Sequence, residues 1–235
     1  MRHTRINALG VLVAGICVLA ISLNGCGPAK EEGPAKRTFT ITKKAPTEAE
    51  KEKPVPSMAP ITEERTYYDF ESDLNGWEVP MWATGKTDYV ARDAVQTTEI
   101  ASHGQGSMKI ESEFPGGLWT AALVEIQQYL DLSNYRVIRA DIYLPPDAPI
   151  GLNAKMIITV GETWKFVEMS RSFPLIPGEW TTITASIEPG SYDWKRVVPD
   201  EKFAEDVRKV AIRIESNRKP KYTGGIFVDN IRVGK

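Results

Sequence analysis

The 235-residue chain carries 29 Lys plus Arg against 31 Asp plus Glu, and loss of Arg2 and Arg5 with an N-terminal leader would leave 27 against 31. That weakly acidic balance, with no basic block to neutralise phosphates, argues against nucleic acid as a partner. Two cysteines and two histidines exclude a disulfide framework and any site built on several His or Cys ligands.

Arg2, His3 and Arg5 precede an uncharged apolar run from Ala8 to Leu23, and "LNGC" (Leu23–Cys26) follows directly. This order predicts a secretory signal over residues 1–25, because the run is short for a membrane-spanning helix; an uncleaved helical anchor is the alternative. "LNGC" resembles the lipobox of bacterial lipoproteins, which implies lipidation at Cys26, a membrane anchor and a place in the cell envelope. Gly27 rather than Asp after the Cys points to the outer membrane by resemblance to the enteric sorting rule.

Residues 26–65 follow as a tether. Gly27 to Arg65 holds six prolines and fifteen charges, with Phe39 its single aromatic, so it cannot bury enough apolar surface to offset the entropy of ordering it. Its reach as a coil is roughly 35 Å.

Residues 66–235 read as one domain of ten short alternating strands separated by Gly, Pro, Asn and Asp, beginning with "TYYDFES" (66–72) and ending with "GIFVDNIRV" (225–233). One short helix is expected in "PDEKFAEDVRK", which opens on Pro199. The composition predicts an all-β fold, a two-sheet antiparallel β-sandwich of jelly-roll type. Parity turns Ile138, Ala140, Ile142 and Leu144 inward and Arg139, Asp141 and Tyr143 outward; likewise Val124 and Ile126 inward, Glu125 and Gln127 outward. In the last strand a period of two puts Asp229 in a row with Phe227, Ile231 and Val233. A carboxylate in an apolar row must lie at a rim, pair with a cation or hold a metal ion.

The ordered series "DFESDLNGW", "GQGSMKIES", "DLSNYRVIRADIYLP", "PGEWTTITASI", "VRKVAIRIES" and "GGIFVDNIRV" resembles the galactose-binding-like β-sandwich of carbohydrate-binding modules. The resemblance implies a structural calcium ion held by Glu71 and Asp229 with the backbone near Gly106 and Ser107, and Asp69 as a further ligand. The alternative is that Asp229 pairs with an arginine or caps a bend in the strand. It also places Trp77 and Trp180 in the core.

Trp82, Trp119, Trp164 and Trp194 lie instead at loops or strand starts, beside Gly, Pro or charge. Rings can stack on pyranose C–H faces while acids, amides and guanidinium groups bind hydroxyls. Glu125, Gln127, Arg139, Asp141 and Tyr143 are expected on one outward polar face, and with these rings they form the expected glycan-binding set. A glycosidase would need a selected pair of carboxylates, and no pair stands out among many. The expected protein is therefore a membrane-anchored lipoprotein presenting a non-catalytic carbohydrate-binding domain, with polysaccharide as partner. The alternatives are an envelope assembly domain that binds protein, and a glycan hydrolase or lyase.

Overall fold

Alternation of apolar and polar residues makes strands, and two sheets bury their apolar sides against each other. The computed structural model describes residues 54–235 apart from Met58, Val197, Glu201 and Lys219, so the signal, Cys26 and the tether up to residue 53 lie outside the described residues. Among the described residues there are eleven strands: β1 (Glu64–Tyr68), β2 (Ala91–Thr97), β3 (Ser107–Pro115), β4 (Trp119–Leu130), β5 (Val137–Tyr143), β6 (Leu152–Val160), β7 (Lys165–Glu168), β8 (Phe173–Pro174), β9 (Trp180–Ser186), β10 (Val207–Asn217) and β11 (Lys221–Gly234). One short helix, α1 (Lys202–Glu205), precedes β10.

The first sheet runs β2-β3-β11-β5-β9, with β1 also on β11; the second runs β4-β10-β6-β7, with β8 also on β6. Every strand pair is antiparallel, as the sequence predicts. The alternating run 164–172 forms a strand only at β7, with β8 starting after it, and the alternating run 87–93 enters β2 only at Ala91. The core between the sheets is aliphatic: Val124, Ile126, Met156, Ile158, Ile212 and Ile214 meet Met108, Ile110, Ile138, Ile142, Ile226 and Val228, all essentially buried. Trp77 is in this core, as expected.

Three departures matter for function. First, β11 contains a bulge: Asp229 pairs with Asp141 and Arg232 with Arg139, so Asn230 and Ile231 together span one partner residue. Asn230 takes the left-handed conformation that such a bulge needs, with φ of 50°. The extra residue resets the parity, so Ile226, Val228, Ile231 and Val233 reach the core while Phe227, Asp229 and Arg232 face outward. Asp229 is therefore not in an apolar row.

Second, Trp194 is 2 % exposed, and its Nε1 donates to Ser186 O at 2.8 Å. The loop ring expected at the surface is a core residue. Trp180, expected in the core, instead lies beside Tyr143 with 5.4 Å between centroids on the outer side of the first sheet.

Third, hydrogen bonding reaches back ahead of residue 66. Thr62 N–H donates to Lys235 O at 2.8 Å, and Arg136 Nη2 donates to Ser57 O at 2.8 Å. Pro54 O lies 1.8 Å from where a side chain on Gly190 would begin, so only glycine fits there.

Candidate functional site

Because Glu125 and Gln127 leave β4 in the second sheet while Arg139, Asp141 and Tyr143 leave β5 in the first, the polar set expected on one face is divided between opposite sides of the sandwich. The two outer faces are built differently.

On the first sheet, Arg232 joins Asp141 at 2.8 Å and Glu64 at 3.1 Å, and Arg139 pairs with Glu64 and donates to Thr184 Oγ1 at 2.9 Å. Thr182 Oγ1 donates to Asp141 at 2.6 Å. Asp229 is fully buried under the 98–106 loop, accepting from Ser102 N–H at 2.7 Å, His103 N–H at 3.0 Å and Ser102 Oγ at 3.1 Å. Burial pushes its carboxyl above the ordinary range, and these donors oppose the shift. Glu71 holds the other end of the loop, accepting from Gln105 N–H at 3.0 Å and Gly106 N–H at 3.1 Å. Asp69 accepts from Glu71 N–H at 3.3 Å, and Ser107 Oγ donates to Ile100 O at 2.6 Å.

Of the four residues expected around calcium, Glu71, Ser107 and Asp229 thus latch the loop in this arrangement, while Asp69 closes a local turn onto Glu71. Calcium takes six to eight oxygen ligands, whereas the Asp229 and Glu71 carboxylates face N–H and O–H donors. The Gln96 amide donates to Phe70 O at 3.2 Å, with Glu71 O and Thr97 O each at 3.5 Å. Among the described residues no group of three or more His, Cys, Asp or Glu is gathered for a metal. This donor set fits a hydrogen-bonded latch and not a hard cation.

The second sheet presents a groove of about 180 Å³, floored by Leu123, Ile157 and Ala211 and bordered by Glu125, Thr159, Phe166, Lys209 and Trp82. Its near wall is the segment after Trp77. Glu78 exchanges backbone hydrogen bonds with Glu125, and Ala121 N–H donates to Asp88 O at 2.8 Å. The segment so covers the free edge of β4 and stands Trp82 and Tyr89 over the sheet with 5.0 Å between ring centroids. Trp82 Nε1 donates to Glu125 at 3.3 Å, and the Lys86 ammonium sits 4.8 Å from the Trp82 ring.

Glu125, Glu168 and Glu215 on this outer face each have a cation. Lys209 joins Glu125 at 2.5 Å; Arg213 joins Glu168 at 2.5 Å and Glu215 at 3.2 Å; Lys195 pairs with Glu168. Burial pushes Glu168 up, but Lys195 and Arg213 outweigh it and hold the carboxyl below the ordinary range. The Arg213 guanidinium also lies 5.8 Å from the ring of Trp119 at the entry of β4.

Three expected rings are accessible on this side: Trp82 at 44 %, Trp164 at 40 % and Trp119 at 39 %. Sequence reasoning missed Tyr89, Phe166, Lys209 and Arg213, although outward parity in "KFVE" and "KVAIRIES" points to the last three. A wider depression of about 510 Å³ lies between β1 and the turn at Asp73–Gly76, but is bordered mainly by Asn75, Asp73, Gln128 and the half-buried Tyr67. It offers no exposed tryptophan.

Comparison with known proteins agrees with this architecture. The model of the family described as mannanase, galactose-binding domain-like matches residues 68–230. The fold is similar to CBM27-1 of Caldicellulosiruptor saccharolyticus, solved in complex with mannohexaose: TM-score 0.52, 15% identity, 73% of this chain and 97% of that one. A carbohydrate-binding module specific for non-crystalline cellulose, CBM28, gives a TM-score of 0.53 at 16% identity, over 74% of this chain and 96% of that one. No curated protein matches the sequence. The fold is thus the galactose-binding-like β-sandwich of carbohydrate-binding modules.

Proposed function

Because the chain belongs to the mannanase, galactose-binding domain-like family, we propose that its domain binds a neutral polysaccharide along the outer face of the second sheet without cleaving it. The observation that carries this reading is the combination of exposed tryptophans at the margins with a floor whose charges are already paired. Rings give a pyranose chain faces to stack on. The ion-paired side chains between these rings give hydroxyls both donors and acceptors. The family description and the mannohexaose-bound neighbour make β-mannan the first polysaccharide to test.

Hydrolysis fits this face poorly. A glycosidase needs one carboxyl protonated at working pH, whereas Glu168 is held below the ordinary range and Glu125 is tied to Lys209. Incubation with mannan should release no reducing ends.

Titration of the full chain against β-mannan, soluble cellulose derivatives and a polyuronate tests the reading. The neutral polymers should bind, and Trp82→Ala or Trp119→Ala should weaken them about tenfold, roughly 1.4 kcal/mol. Failure of every neutral glycan to bind, or tighter binding of the polyuronate, would reject it. Lipidation at Cys26 and a tether ahead of residue 54 would present this face in the cell envelope, with the outer membrane as the expected place. Cys26→Ala should release the protein from the membrane fraction; retention would favour the uncleaved anchor.

A further inference from the structure

The depression of about 510 Å³ lies away from the groove, at the open edge of the sandwich between β1 of the first sheet and β4 of the second. The segment after Trp77 covers the edge of β4 only as far as Glu125, so the seam between the sheets stays open beside Gln128. Its volume falls within the range of small-molecule sites, about 300–1,000 Å³.

A polar residue stands here where the strand pattern calls for an apolar one. Gln128 shares the parity of Val124, Ile126 and Leu130, all of them core residues, yet it is exposed at the seam. Its Oε1 accepts from the buried Tyr68 hydroxyl at 2.6 Å, and burial pushes that hydroxyl up to about 12, so it keeps its proton. The carboxamide is thereby fixed, with Nε2 left unengaged among the described residues. On the turn, Asp73 Oδ1 accepts from Asn75 N–H at 2.6 Å and from Asn75 Nδ2 at 2.8 Å. Asn75 has φ of 52° and Gly76 φ of 89°, left-handed values that these two residue types tolerate. Asp73 Oδ2 and Asn75 Oδ1 remain as acceptors without a partner among the described residues. Tyr67 completes the border, with the Arg65 guanidinium 4.9 Å from its ring and Tyr135 edge to face at 6.4 Å.

We infer that this seam is a second binding site, for one neutral pyranose ring, separate from the groove of the second sheet. The amide donors of Gln128 and the acceptors of Asp73 and Asn75 match vicinal hydroxyls, each of which both gives and accepts a hydrogen bond. The Tyr67 ring offers an apolar surface to the C–H face of the sugar. Asp73 is the only charged side chain on the border, so an anion meets a carboxylate there and no cation. Gln128 and Asn75 are fixed by Tyr68 and Asp73 before a ligand arrives, which lowers the ordering cost of binding. The ring can belong to a free sugar or to the end of a chain, since both present the same hydroxyls. The site stands independently of the groove, because Gln128 leaves β4 on the inward side while Glu125 and Gln127 leave it on the outer one.

Heteronuclear NMR titration of the full chain with the methyl glycosides of mannose, glucose and galactose, and with glucuronate, tests this. At least one neutral glycoside should shift the amides of Asp73 to Trp77 and of Gln128, with a Kd of about 1 mM, and glucuronate should bind more weakly. Gln128→Ala and Asn75→Gly should each weaken that glycoside about fivefold or more and leave the affinity for mannan polymer unchanged. Asn75→Gly keeps a residue that accepts the left-handed turn, so a loss there reports the side chain, and the melting temperature of each variant serves as the folding check. Shifts of the same amides by mannobiose or cellobiose would identify a chain end as the source of the ring; exclusion of both disaccharides would identify a free sugar. Absence of shifts at these amides with every neutral glycoside, unchanged affinity in both variants, or tighter binding of glucuronate would each overturn the seam site. None of these results touches the groove reading, which the polymer titrations decide.

Discussion

The two outer faces of this sandwich start from the same materials, paired charges with aromatic rings beside them, and end differently. On the first sheet the 98–106 loop lies across Asp229, and its own N–H groups satisfy the carboxylate; Phe227 beside it is only 5 % exposed. On the second sheet the segment after Trp77 lies along the β4 edge and itself presents Trp82, and Trp82, Trp119 and Trp164 keep accessible faces beside ion-paired side chains. Charge pairing alone therefore does not mark a binding face. What distinguishes the second face is rings left uncovered next to such pairs, an uncommon use of so large an apolar surface.

The comparison can be broken most severely at Arg213, whose side chain, like that of Glu168, is about one-tenth exposed. Arg213→Ala should destabilise the fold by roughly 3 kcal/mol, near the low end for a broken buried pair because Lys195 still faces Glu168. It should weaken glycan binding as well, since Trp119 loses its cation. Chemical denaturation and titration on the same variant read both effects.

A smaller loss is expected at Asp229, and of stability only. Asp229→Ala leaves Ser102 and His103 N–H groups without their acceptor, which costs about 2 kcal/mol, while polysaccharide affinity should stay within error of wild type. Calcium and a chelator should give the same melting temperature in this variant and in wild type. A calcium-dependent rise in wild type, lost in the variant, would show that the latch gives way to an ion.

The subtlest difference is the sign with which the two faces titrate. Glu168 is lowered in the folded state, so its contribution is present above the pKa of an unfolded glutamate and is lost as pH falls through the folded value. Asp229 is raised, so its contribution is present at acid pH and is lost as pH rises through the folded value. Melting temperature followed downward through the carboxylate range should therefore fall less steeply in Glu168→Gln than in wild type, and more steeply in Asp229→Asn. Parallel profiles for the three proteins would contradict this assignment.

Much of the architecture was legible in the residues. Strand periodicity separated Ile138, Ile142, Val124 and Ile126 from their polar neighbours, because the side-chain period of a strand is two whatever sheet it joins. The Gly and Pro punctuation gave the strand number nearly right, and Trp77 reached the core as expected. Parity, however, says only which residues of one strand share a side. It cannot say that β4 and β5 belong to different sheets, so Glu125 and Arg139 were grouped on one face when they point away from each other across the core. It also fails at a bulge, where one inserted residue at Asn230 moved Asp229 from an apolar row to a hydrogen-bonded latch. Which tryptophans stay exposed was likewise decided in three dimensions. Trp194 found Ser186 O and a buried pocket through contacts that local sequence does not encode, whereas Trp82 and Trp164 were carried onto one face by a segment covering the edge of β4 and a strained turn between β6 and β7.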